Sequence, residues 1–307
     1  MSEKGPVQTG PFPIKGAVMK SFSRIFPWFL CLFLLGGCAK KEAPLPDTPE
    51  RVVVLQASLA DLWITAGGTV TGVTDDAEER NIAPEATVVG TTKSPSTEAI
   101  LALKPDLVIY SPDIAGQAAA AEVLRSAGIA LLPAKVDSFS DYLTHLKEFT
   151  GLTGAEGAYQ RYGEAVAAEI ENILAAVPQE GAAPRVLFLR AYSSGVKAKA
   201  TDHLVCDILD DLGAVNIAAS HTSLLENLSL EAIVREDPDF IFVVTMGSDE
   251  HAAIARLEET LFSQPLWQNL SAMEEGRLVY LPKELFHYKP NAHWAEAYRY
   301  VFDILYP

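Results

Sequence analysis

Ser96-Thr97-Glu98-Ala99-Ile100, running on to Pro105-Asp106-Leu107-Val108-Ile109, has a second copy in the chain. That copy is Ser229-Leu230-Glu231-Ala232-Ile233, running on to Pro238-Asp239-Phe240-Ile241-Phe242. The offsets match, and Ser, Glu, Ala, Ile, Pro and Asp are identical. In each copy the serine reads as a helix N-cap and the glutamate as a first-turn residue at the positive end of the dipole. The proline reads as the stop before a strand. Any αβ unit favours such residues singly; six identities at matched offsets favour two related lobes.

Around the first copy, short β-rich runs alternate with helical ones. RVVVLQ is a strand, ASLADLWITAG a helix ending at Gly67, and TVTGV and the run at Val88 are strands. DLVIYS, the helix AAAEVLRSAG and the strand IALLPA follow. The second half repeats the plan with RVLFLRA, HLVCDILDDLG, AVNIA, SLEAIVRED and FIFVVT. Alternation of this kind predicts an α/β fold of two similar lobes with mostly parallel sheets. Between them, apolar residues from Ala155 to Val177 fall at helical spacing, and Pro178 ends the run. A helix of that length spans about 34 Å, enough to join the lobes and stiff enough to oppose wide hinge closure.

The N-terminus has its own signal. Lys20 and Arg24 precede the apolar run Ile25 to Leu35, which is too short for a bilayer that needs about 20 residues and suits a signal peptide. Leu35-Gly36-Gly37-Cys38 follows, with small residues before a cysteine. Met19 opens a normal leader, MKSFSR, and is the expected start. Of the 3 cysteines, Cys31 leaves with the leader and Cys206 lies in the apolar run LVCDIL, so the mature chain has no pair for a disulfide. The net charge of −16 leaves no basic surface for nucleic acid.

Leu35 to Cys38 resembles the bacterial lipoprotein box, whose cysteine receives the lipid. With the paired lobes, the long linking helix and the SxEAI and KPDLVI segments, the chain resembles the helical-backbone solute-binding proteins of iron-siderophore, haem and cobalamin ABC importers. The likeness covers residues 51–307. It implies a signal peptide at 1–37, a lipidated tether at 38–50, an N-terminal lobe at 51–153, a linking helix at 154–178 and a C-terminal lobe at 184–307. It also implies a monomer, anchored through Cys38 on the extracytoplasmic face of the membrane. Glu98 and Glu231 would dock into arginine pockets of the permease, which works with its ATPase. The expected cargo is a metal chelate, a ferric siderophore ahead of haem or cobalamin.

The ligand is expected between the lobes, beyond the C-terminal ends of the strands. The N-terminal lobe offers Ser58, Thr92, Lys93 and Ser111 there; the C-terminal lobe offers Arg190, Tyr192, Lys197, Lys199, Thr245, Met246, Phe286, His287 and Tyr288. In the resembled family the position of Thr92 contacts ligand, often as Arg or Trp, and threonine departs from that. Lys93 and Arg190 are expected to face each other across the cleft and hold an anionic chelate, with Tyr110, Tyr192, Phe286 and Tyr288 as flat contacts. A bare zinc or manganese receptor is the alternative, but it needs histidines from both lobes, and the N-terminal lobe has none before His145. A surface enzyme is less favoured still. Gly67 to Gly72 lacks the Lys and Ser/Thr of a phosphate loop, and no GxSxG occurs. No resident cofactor is expected. Cys38→Ser is expected to move the protein from the membrane fraction to the medium or block its processing; normal membrane retention of the variant on fractionation would refute the anchor.

Overall fold

The computed structural model describes residues 43–247 and 249–307. The leader, the start at Met19 and the lipidation site at Cys38 lie outside them. Residues 43–50 carry neither helix nor strand. Among the described residues no helix is long and apolar enough to cross a membrane.

The first lobe is built on β1 (Val52–Val54), β2 (Gly72–Val73) and β3 (Thr87–Val88), then the hairpin strands β4 (Gly90–Thr91) and β5 (Ser94–Pro95), then β6 (Leu107–Tyr110) and β7 (Ala130–Pro133). Its parallel sheet has the order β3-β2-β1-β6-β7. The second lobe contains β8 (Arg185–Tyr192), β9 (Gly195–Ala198), β10 (Val215–Asn216), β11 (Phe240–Thr245) and β12 (Leu278–Tyr280). Its order is β10-β8-β11-β12, parallel, with β9 antiparallel to β8. Val52–Val54 of β1 are fully buried, as are Val186 to Leu189 of β8 and Ile241 to Val244 of β11. Helices cover both faces of such strands, which is why they read as unbroken apolar runs rather than alternating ones.

The duplicated signature does the same work in both lobes. Ser96 Oγ accepts from Ala99 N at 3.2 Å and Ser229 Oγ from Ala232 N at 3.4 Å. The helices Thr97–Ala102 and Leu230–Glu236 follow. Before each proline the chain leaves its helix through a left-handed residue, Lys104 (φ 49°) and Asp237 (φ 41°), and the proline that follows cannot continue the helix. The aspartates then reach back to the first strand. Asp106 accepts from the amides of Glu50 and Arg51, and Asp239 from that of Arg185 at 2.7 Å. The two arginines answer in kind: Arg51 donates to the carbonyls of Leu103 and Lys104, Arg185 to that of Glu236. Each lobe thus closes its first strand onto its signature helix by a reciprocal Arg–Asp exchange.

The linking run is helical at Glu156–Tyr159, opens into a π turn at Gln160–Glu164 and resumes at Ala165–Ala175. Tyr142, buried on the helix Phe139–Thr153, donates its hydroxyl to the Tyr162 carbonyl within that turn at 2.9 Å. Sequence reading passed over Phe139–Thr153, which a reciprocal Ser138–Asp141 capping box starts and left-handed Gly154 ends. It also placed Lys197 in a loop; it lies on β9, paired with Arg190.

A loop between the helices Lys283–Phe286 and Trp294–Leu305 crosses from the second lobe to the first. Lys289 Nζ meets Asp137 at 2.9 Å. Asn291, 1% exposed, donates through Nδ2 to the Ser58 carbonyl at 2.9 Å and to Asp61 at 2.7 Å. These bonds and the linking helix hold the two walls of the cleft.

Candidate functional site

The N-terminal wall of the cleft is organised by one amide. Gln117 is fully buried near the start of the helix Ala115–Ser126. Its Nε2 donates to the carbonyls of Leu55 (2.5 Å) and Thr92 (3.0 Å), and its Oε1 accepts from Ser111 N at 2.7 Å. Those partners belong to the loops after β1, β4 and β6, so one side chain fixes three of the loops that face the cleft. Gly116 permits the arrangement: a Cβ there would stand 1.8 Å from the Lys93 carbonyl.

The loops border a cavity of about 740 Å³ between the lobes. Ser58, Thr92 and Lys93 line it from one side, His287 and Tyr288 from the other. It is joined by residues that sequence reading did not single out: Asp75, Asp76, Glu79, Arg80 and Lys289. Asp75 and Asp76 are already engaged. Asp75 accepts from Thr92 N, Thr92 Oγ1 and Asp76 N; Asp76 accepts from Ala57 N and Thr74 Oγ1.

His287 reports the local field. Burial first, then Lys283, Arg190, Arg80 and Lys289, hold its imidazole down to about 4, so it is neutral in the cleft. Its Nδ1 is buried without a partner among the described residues. His203 lies deeper, against the Phe188 ring, with Nδ1 accepting from Val205 N. Burial, then Arg190 and Lys289, takes it to about 3.

Several expected ligand contacts lie elsewhere. Phe286 is fully buried against Tyr300 and is a core residue, because its helix turns that side chain inward. Ser111 is buried and donates its hydroxyl to Asp113. Tyr110 is largely buried in the sheet core. Arg190 and Tyr192 are not on the cavity wall; the guanidinium lies 5.3 Å over the Tyr192 ring and donates to Met246 Sδ at 3.4 Å. Lys93 therefore does not face Arg190 across the cavity. Lys197 lines a different groove, with Leu224, Leu228 and Leu261. Glu98 and Glu231 are exposed at the starts of their helices and have no ion pair among the described residues.

The missed residues left faint traces. Lys283 and Lys289 flank the Phe286-His287-Tyr288 run that was singled out. Arg80 ends an acidic stretch, Asp75–Glu79, that reads as a solvated face. Gln117 lies just ahead of the quoted alanine run.

A profile of the family described as periplasmic binding protein matches residues 52–285. The chain belongs to the periplasmic binding protein family. As a member it is the extracytoplasmic substrate-binding component of an ABC transporter and not an enzyme. It is 26% identical over 243 residues to the Fe(3+) dicitrate-binding periplasmic protein FecB of Escherichia coli (strain K12), covering 76% of this chain and 77% of the relative. It is 24% identical over 271 residues to the putative ABC transporter substrate-binding lipoprotein YhfQ of Bacillus subtilis (strain 168), covering 82% of each. An ABC transporter substrate-binding protein from Listeria monocytogenes EGD-e shares the fold at a TM-score of 0.69, with 18% identity over 84% of this chain and 99% of that one.

Gln117→Leu is expected to strand the Ser111 amide and two carbonyls, at about 1–3 kcal/mol for each buried group left unpaired. Urea unfolding measures the loss, and an unchanged midpoint would remove the amide from its organising role. The two histidines predict acid lability. Both are neutral in the fold and, once unfolded, protonate near 6.5. The stability they hold above pH 6.5 is lost as pH falls toward 4. His203→Asn, which keeps an N-cap acceptor, is expected to reduce that loss in urea midpoints recorded across the same range.

Proposed function

We propose that this protein is a lipid-anchored receptor that captures an anionic ferric chelate of the citrate class and delivers it to an ABC permease. One observation carries the reading: Arg80, Lys93 and Lys289 line a single cavity, and Lys283 Nζ lies 5.4 Å from the ring centre of Tyr288 on its wall. Cations gathered where solvent is scarce repel one another unless an anion lies among them. The wall's own carboxylates leave Arg80 and Lys283 without an ion pair among the described residues: Asp75 and Asp76 point at backbone and hydroxyl donors, and Asp137 pairs with Lys289. A ferric hydroxycarboxylate supplies negative oxygens on a compact body that suits a cavity of about 740 Å³. FecB, by name a ferric dicitrate binder, supports the same class. Among the described residues no group of three or more His, Cys, Asp or Glu is placed to hold a metal ion, which favours a chelate over a bare ion. The lipid anchor rests on Leu35 to Cys38, and the lipoprotein relative supports it.

The docking role of Glu98 and Glu231 follows from their matched places in the two lobes. Both stay exposed while their serines and aspartates are consumed within the fold. Charge reversal at an interface with arginines turns attraction into repulsion worth several kcal/mol.

Calorimetric titration with ferric citrate, haem and cobalamin tests the ligand class. Stoichiometric binding of ferric citrate that weakens with added salt is expected. Capture of haem or cobalamin with no binding of ferric citrate would overturn the reading. For docking, the Glu98→Arg/Glu231→Arg double variant is expected to bind ligand normally and abolish uptake in cells; surviving uptake would remove the glutamates from the interface.

A further inference from the structure

The ring of Tyr288 has two cations, one from each lobe. Arg80 Cζ lies 4.6 Å from the ring centre and Lys283 Nζ 5.4 Å. Neither has an ion-pair partner among the described residues. Lys283 is 8% exposed, and its ammonium donates to the Gly247 carbonyl at 2.6 Å. Arg80 is half-buried on the cavity wall, and none of its N–H groups donates to another described residue. Asp61, Asp76 and Glu284 act on it only through the field, and burial outweighs them.

A guanidinium carries five donors in a planar fork matched to a carboxylate. Half-buried arginines in a folded protein ordinarily place those donors on carbonyls or carboxylates. Here the face of an aromatic ring is what holds the cation, an interaction weaker than a charge-assisted hydrogen bond. The donors are therefore free for a partner that enters the cavity. Lys93 also lines the cavity, but it is exposed and its charge is screened by water. Arg190 lies off the cavity wall, with Nε on Met246 Sδ and its guanidinium over the Tyr192 ring.

The geometry points to Arg80 as the residue that takes a carboxylate of the bound chelate through its paired N–H groups, with Tyr288 as the positioning residue that holds the guanidinium at the cavity and Lys283 as a buried charge that reinforces it. The inference rests on the anionic-chelate reading and goes beyond it by naming the group that recognises the ligand and the ring that sets its pose. It also gives the loop after the helix Lys283–Phe286 a part in specificity, since one of its side chains positions a cation of the opposite lobe.

The test is calorimetric titration of the full chain with ferric citrate in excess citrate, at two ionic strengths. Arg80→Met is expected to weaken binding roughly 10- to 150-fold and to flatten its dependence on salt. Arg80→Lys, which keeps the charge but not the fork, is expected to lose at least about 5-fold while keeping the salt dependence. Tyr288→Leu is expected to lose roughly 2- to 5-fold, and Tyr288→Phe, which keeps the ring, to stay within about 2-fold of the parent. Arg80→Lys also serves where Arg80→Met proves too unstable to titrate. Wild-type affinity and salt dependence in Arg80→Met, or parental affinity in Arg80→Lys where that variant alone can be titrated, would overturn the assignment of Arg80. A loss in Tyr288→Phe equal to that in Tyr288→Leu would overturn the ring's part. Either result leaves the anionic reading intact, because that reading fails in the unmodified protein, by absence of ferric citrate binding.

Discussion

The cleft depends on a buried carboxamide. Gln117 gives two hydrogen bonds and takes one, and its partners are the ends of three separate loops. No apolar side chain could stand in for it, since each partner is a backbone group away from water that needs its bond. Glutamate would serve poorly too, because a carboxylate facing two carbonyls has no donor to offer them. Ser58, Thr92 and Lys93 take their places at the cavity as consequences of this clamp and of the bare Cα of Gly116 beneath the Lys93 carbonyl.

The architecture was legible because its determinants are local and repeated. Ser96 and Ser229 cap, Pro105 and Pro238 stop, and the apolar runs of β1, β8 and β11 lie where sheets covered on both faces require them. What escaped was local structure written in polar residues: the Ser138–Asp141 capping box, the short helix Asp75–Glu79 and the hairpin that places Lys197 on β9. The cleft was legible only as far as strand ends predict it. Position along the chain located Thr92, Lys93, His287 and Tyr288 near the cavity. It did not say which way a side chain turns, so Phe286, one residue from His287, went into the core. Arg80 and Gln117 act across long sequence separations, and nothing in their immediate neighbours announces that.

The chain as a whole is acidic, at −16, yet Arg80, Lys93 and Lys289 line the cavity beside Asp75, Asp76 and Glu79. On the proposed reading, those cations serve the capture of an anion. Surface carboxylates keep the protein soluble and do little at the cleft, because water and salt screen them within about 8–10 Å. Inside, lower polarisability lets a few cations act strongly on anything between them. Burial, and after it Lys283, Arg190, Arg80 and Lys289, lowers the His287 imidazole to about 4.

The crossing loop and the linking helix bear on how tightly such a receptor can hold its cargo. Lys289 on Asp137 and Asn291 on Ser58 and Asp61 bond the two walls directly to each other. The entropy of bringing two lobes together is lost once, as the chain folds, and does not recur with each capture. Affinity then reflects contacts with the ligand almost undiminished, and a change of one hydrogen bond at the cavity wall should show in the dissociation rate rather than vanish into domain motion.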